Sequence, residues 1–165
     1  MRSNLLDIIT IVIIIFLIIN LNRVLGFILS TSVPLAVVSS SSMEPILHVG
    51  DLLITEGFKE YNVGDIVVYK RGGEYIVHRI IRIENFNGST RYVTKGDANS
   101  SPDFPPVDKS DVEGKVVLII PYLGGLSLIL RKAGLKLPPY LILLFPLLTL
   151  LGAVLSYGRL RHKGI

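Results

Sequence analysis

Two long apolar blocks bracket a middle whose apolar residues come in short runs. From Leu5 to about Leu29 the chain is nearly continuously apolar, with its densest part at residues 8–19 and polar interruptions at Asp7, Thr10, Asn20, Asn22 and Arg23. Roughly 20 mostly apolar residues span a bilayer as a helix, so residues 1–29 are expected to form an N-terminal transmembrane anchor. A cleavable leader would have an apolar core of about 7–15 residues ending in a small-x-small site. Nothing after Phe27 reads as such a site, which favours a retained anchor. The second block, Tyr140 to Leu155, lies between Pro138-Pro139 and Ser156-Tyr157-Gly158. Its Pro146 and Gly152 are both tolerated in membrane helices. A second transmembrane helix is expected over 138–158, followed by a basic tail at 159–165.

Between the blocks the pattern changes to short β-branched runs split by Gly and Asn, the signature of strands and turns. Such runs are Asp51–Thr55 after Gly50, Ile66–Tyr69 after Val63-Gly64-Asp65, and Tyr75–Ile83 after Gly72-Gly73. Two more are Arg91–Thr94 after Asn87-Gly88-Ser89, and Val116–Ile120 ending at Pro121. No helical period of similar strength competes, so residues 30–121 are expected to form a small, mostly β domain. Residues 122–137 mix apolar side chains with Arg131, Lys132 and Lys136. They suit an amphipathic connector, which could lie at the bilayer surface or cover the sheet.

Composition sharpens this picture without changing it. Half of the 165 residues are hydrophobic and mean hydropathy is +0.56, too apolar for an ordinary soluble domain. The net charge of +4 comes without aromatic-basic interleaving, and reads as membrane flanks and solvated faces rather than a nucleic-acid surface. There is no cysteine, which excludes disulfides, thiolate metal sites and a Cys nucleophile. Basic residues flank both sides of the two spans, so charge leaves the membrane orientation open.

The candidate chemistry centres on Val37-Val38-Ser39-Ser40-Ser41-Ser42-Met43-Glu44-Pro45. A serine run alone is more often a polar linker. A serine hydroxyl becomes a nucleophile only when a base takes its proton and donors await the oxyanion. Of the three histidines, His162 lies beyond the second span, His48 sits in the turn before Gly50-Asp51, and His78 is in mid-strand on the face opposite Tyr75 and Val77. A lone strand histidine is usually packed or solvated, yet imidazole suits proton transfer near neutral pH. Asp97 and Asp103 stand six residues apart in one loop, and either is a candidate to fix a histidine tautomer.

Taken in order, Ser40-x-Ser42-Met43-x-Pro45, Gly50-Asp51, Tyr75–Ile81 and Lys95-Gly96-Asp97 with Asp103 resemble the boxes of type I signal peptidase. Bacterial members carry a Lys base where this chain has His78, so the resemblance is to the archaeal and endoplasmic-reticulum branch. It implies a signal-peptidase-like β domain between two transmembrane helices, with its catalytic domain on the extracytoplasmic side of the cell membrane. It further implies Ser42 as nucleophile, His78 as general base and Asp103 as its orienter. Asp97 would be a second important acid, and Ser40 an oxyanion-hole hydroxyl. Implied partners are preprotein signal peptides, the lipid bilayer and the protein translocation machinery, with no nucleic acid, cofactor or metal. The four-serine run and Asn99-Ser100-Ser101-Pro102 depart from the family's usual wording. The rival readings are a related membrane serine peptidase with other substrates, and a non-catalytic membrane-anchored β domain assisting secretion.

Overall fold

The computed structural model describes residues 9, 10, 12, 16, 20–86 and 88–135. Its centre is one antiparallel sheet in the order β1-β2-β7-β3-β4-β5-β6. The strands are β1 (Leu35–Val37), β2 (Leu52–Glu56), β3 (Ile66–Arg71), β4 (Glu74–Phe86), β5 (Ser89–Lys95), β6 (Val107–Asp108) and β7 (Val112–Ile120). A short 3-10 turn, Lys109–Asp111, leads into β7, and one helix, α1 (Gly125–Lys132), follows it. All five runs expected to be strands are strands. The sheet adds β1, the apolar run just before the serines, and the two-residue β6. A mostly β domain is what the sequence pattern leads one to expect, and it is what forms.

The β3–β4 and β4–β5 hairpins follow from Gly72-Gly73 and Gly88, whose φ angles of 58°, 85° and 79° suit glycine. The longer-range step is β7, which lies between β2 and β3 and so joins the first and second halves of the domain. Because side chains alternate along a strand, β3 and β4 feed two separate clusters. Val67, Tyr69 and Ile80 pack with Tyr61, Tyr92 and Val107. Ile66 and Val77 pack instead with Val38, Met43, Leu47 and Leu53. The second cluster lies under the serine run and holds it down.

Residues 20–28 are helical. Gly57 N–H donates to the Leu29 carbonyl at 2.8 Å, and Thr31 Oγ1 to the Glu113 carbonyl at 2.7 Å, tying the end of that helix to the sheet. Among the described residues no helix is long and apolar enough to cross a membrane. The rest of the first expected span, and all of the second at 138–158, lie outside the described residues, as does the 159–165 tail. Of the 122–137 connector, Gly125–Lys132 is a helix with Arg131 and Lys132 in its last turn. Its start packs on the strand before the serines: a side chain at Gly124 would meet the Val37 methyls at 2.6 Å. Leu126 and Ile129 face outward, 52% and 66% exposed.

Candidate active site

Ser42 stands at the turn that follows β1, and its neighbours fix it. Met43 and Leu47 are buried. Gly50 N–H bonds the Val38 carbonyl, and Val38 N–H bonds the Asp51 carbonyl, closing the loop on itself. Gly50 has a φ of 100°, a conformation glycine adopts without strain. The buried Asp51 carboxylate accepts the His48 N–H at 2.8 Å and the Tyr122 N–H at 3.0 Å. It thereby staples the serine loop to the turn that opens α1.

His78 sits in the middle of β4, 7% exposed. Its Nε2 lies 3.1 Å from Ser42 Oγ, and its Nδ1 lies 2.7 Å from Asp103 Oδ2. The carboxylate, the imidazole and the hydroxyl are thus joined in series. With Nδ1–H donating to the carboxylate, Nε2 is left as an acceptor aimed at the serine hydroxyl. Ser40 Oγ stands 3.3 Å from Ser42 Oγ.

Asp97 goes elsewhere. Its two carboxylate oxygens accept Arg79 Nε at 2.9 Å and Arg79 Nη2 at 2.6 Å, a bidentate pair. Arg79 Nη1 also donates to the Gly64 carbonyl at 2.8 Å. That hydrogen bonding holds the Asp97 carboxyl below its ordinary range and the Arg79 guanidinium above its own. The Asp97 turn is in turn clamped to the Ser42 loop, since Ala98 N–H donates to the Ser42 carbonyl at 2.9 Å. Asp97 therefore reaches the site only through the backbone of the next residue, Ala98, and Asp103 reaches it through the imidazole.

His48 does not join this group: its ring faces Tyr122 at 6.3 Å between centroids. His162 lies outside the described residues. Three residues absent from the sequence-based set belong to the constellation. Arg79 pairs with Asp97, while Tyr69 and Thr94 both donate to Asp103. Arg79 could have been suspected as the cation next to His78. Tyr69 and Thr94 carry no local signal, because only strand pairing brings them to His78. No group of three or more His, Cys, Asp or Glu side chains among the described residues is arranged to hold a metal.

A hydroxyl on one loop and a carboxylate on another, joined through an imidazole on a strand, are the working parts of a serine hydrolase. The chain belongs to the Peptidase S24-like family, whose model matches residues 23–117. Among curated proteins it is similar to the signal peptidase complex catalytic subunit of Homo sapiens, 39% identical over 110 residues, 59% of this chain and 57% of that protein. The Mus musculus protein matches to the same extent. A signal peptidase complex catalytic subunit from Verticillium alfalfae is 36% identical over 111 residues, 60% of this chain and 64% of that protein. The match thus covers less than two thirds of each of these relatives.

Proposed function

We propose that this chain is a membrane-bound serine endopeptidase that removes N-terminal signal peptides from exported preproteins. The observation that carries the reading is the Asp103–His78–Ser42 series, with contacts of 2.7 and 3.1 Å. Similarity to signal peptidase catalytic subunits supplies the substrate class.

In the mechanism Ser42 Oγ attacks the scissile carbonyl while its proton passes to His78 Nε2. Asp103 stabilises the imidazolium that results and keeps the ring in one tautomer. As the tetrahedral intermediate collapses, the C–N bond breaks and His78 returns the proton to the leaving amine. A water then attacks the acyl-enzyme, its proton goes to His78, and Ser42 regains it on release. Ser40 Oγ, beside Ser42 Oγ, is the side-chain donor for the oxyanion. Asp97 acts through Arg79 and its own turn to hold the Ser42 backbone.

The membrane enters through the substrate, which stays anchored by its apolar core so that the scissile bond lies near the bilayer surface. Apolar residues 5–29 and 140–155 serve as two spans, with the β domain between them on the extracytoplasmic side. Ser42 follows the first span by about a dozen residues, a reach of some tens of Å at most. The outward Leu126 and Ile129 of α1, with Arg131 and Lys132 at its end, suit a helix at the bilayer surface.

The test is to incubate detergent-solubilised full-length protein with a model preprotein, beside Ser42→Ala, and to sequence the new amino terminus. Cleavage after a small residue at the signal junction, absent in Ser42→Ala, is expected. Cleavage that survives the substitution would mean that another serine is the nucleophile. Cleavage only at unrelated sites would favour a membrane serine peptidase with other substrates.

A further inference from the structure

Three neighbouring strands direct one polar side chain each at a single atom. Tyr69 on β3, His78 on β4 and Thr94 on β5 share one face of the sheet, as the register shows. Tyr69 pairs with Ile76, two residues from His78 along β4, and Thr94 pairs with Ile80, two residues further on. All three side chains meet Asp103 Oδ2: Tyr69 Oη at 3.0 Å, Thr94 Oγ1 at 2.6 Å and His78 Nδ1 at 2.7 Å. The loop that carries Asp103 leaves the sheet just after Thr94 and returns to it, because Asp103 N–H donates to the Thr94 carbonyl at 2.8 Å. Tyr69 and Thr94 are fully buried. Burial pushes the Tyr69 hydroxyl up to about 12, so it remains a donor at any working pH. Its ring stands edge-on to the His78 imidazole, 6.4 Å between centroids.

We propose that Tyr69 and Thr94 are positioning residues that act through Asp103, fixing the carboxylate oxygen that holds His78 so that Nε2 stays aimed at Ser42. This rests on the peptidase reading above. The geometric reason is that Asp103 lies on a loop, and its carboxylate has a free torsion. The backbone bond to Thr94 fixes the Cα of Asp103 but not the direction of its oxygens. Two hydroxyls from two rigid strands set that direction. Since both hydroxyls donate to the carboxylate and add no charge, they constrain it without competing as bases.

The test compares Tyr69→Phe, Thr94→Val and Thr94→Ser in the full-length protein, with wild type and Ser42→Ala as controls, on one model preprotein. Tyr69→Phe keeps the ring and Thr94→Ser keeps the hydroxyl. Expected is a fall in kcat of about 10- to 100-fold in Tyr69→Phe and in Thr94→Val, the rate equivalent of losing a hydrogen bond to a charged group. KM should stay within about twofold, because neither residue binds substrate. Thr94→Ser should retain most of the wild-type kcat, and the far-UV spectrum of Tyr69→Phe should stay near wild type, with its thermal midpoint lowered but still above the assay temperature. Unchanged kcat in Tyr69→Phe and Thr94→Val, while wild type cleaves and Ser42→Ala does not, overturns the proposal and leaves the peptidase reading intact. Equal loss in Thr94→Ser and Thr94→Val also overturns it, since the hydroxyl would then be irrelevant. Absence of Ser42-dependent cleavage by wild type removes the peptidase reading, and this inference with it.

Discussion

Gly96 gives a sharp test of how the Ser42 loop is held. A Cβ added there would meet the Ser42 carbonyl oxygen at 2.6 Å and the Asn99 amide at 2.8 Å. Ordinary contact begins near 3.4 Å, so in Gly96→Ala one side must move by roughly 0.8 Å. The Asn99 side chain can swing aside. The Ser42 carbonyl is backbone, already bonded to Ala98 N–H at 2.9 Å, and can move only together with its loop. Nor can the strain be spread along the chain, since Met43 and Leu47 on the far side of Ser42 are buried. The displacement therefore falls on the loop that carries Ser42 Oγ, whose 3.1 Å approach to His78 Nε2 has little slack. A misplacement of about 1 Å near the reacting atoms costs about 100-fold in rate. Overpacking of this kind costs about 1–3 kcal/mol of stability.

Gly96→Ala is thus expected to lower kcat by about 100-fold while the protein still folds. Gly96 does not have a left-handed φ, so the substitution tests steric contact with Ser42 and not backbone conformation. The assay is preprotein cleavage beside a thermal melt. Wild-type kcat in a folded Gly96→Ala would show that the Asp97 turn does not set the position of Ser42. A collapse of the melt without residual structure would place the clash in the core of the fold instead.

Two other outcomes test neighbouring contacts. The Asp97 carboxyl is held low mainly by its hydrogen bonds to Arg79, so the pair stabilises the fold above the unfolded carboxylate pKa, near 4, and loses that effect as pH falls through the lower folded value. Asp97→Asn should cost about 1–3 kcal/mol at pH 7, with the gap to wild type closing below about pH 4 in melts across pH; a gap independent of pH would refute the linkage. His78→Lys should lose more than about 1000-fold in kcat, since a lysine there meets Asp103 as an ion pair rather than accepting a proton from Ser42; full activity would refute the geometric role of the imidazole.

Much of the sheet was legible because five strands are long enough to show β-branched runs between turn residues. β1 and β6 were not, having three and two residues, too few for alternation to register. The order of strands was also hidden, since β7 inserts between β2 and β3 by contacts distant in sequence. Within the site, the Ser, His and Asp residue types were legible as chemistry. Tyr69 and Thr94 were not, because each reads locally as an ordinary strand residue. Only register shows that they share a face with His78. Asp97 and Asp103, six residues apart, offered no local means of deciding between them.

What separates those two acids is the alternation of β4. His78 and Arg79 are consecutive, so their side chains leave opposite faces of the strand. The loop after β5 starts opposite them, with Lys95 paired to Arg79 and Thr94 paired to Ile80. It gives Asp97 to Arg79 on one face and returns Asp103 to His78 on the other. The two carboxylates consequently have different chemistry. Asp97 meets a permanent cation and its charge is spent on structure, clamping the turn whose Ala98 N–H holds Ser42. Asp103 meets the His78 imidazole at 2.7 Å, and in the proposed mechanism its charge is available to an imidazolium as that forms. The acids cannot exchange roles, since neither faces the other's partner across the strand. One loop thus serves both ends of the proposed relay, fixing the serine through backbone and the histidine through a carboxylate.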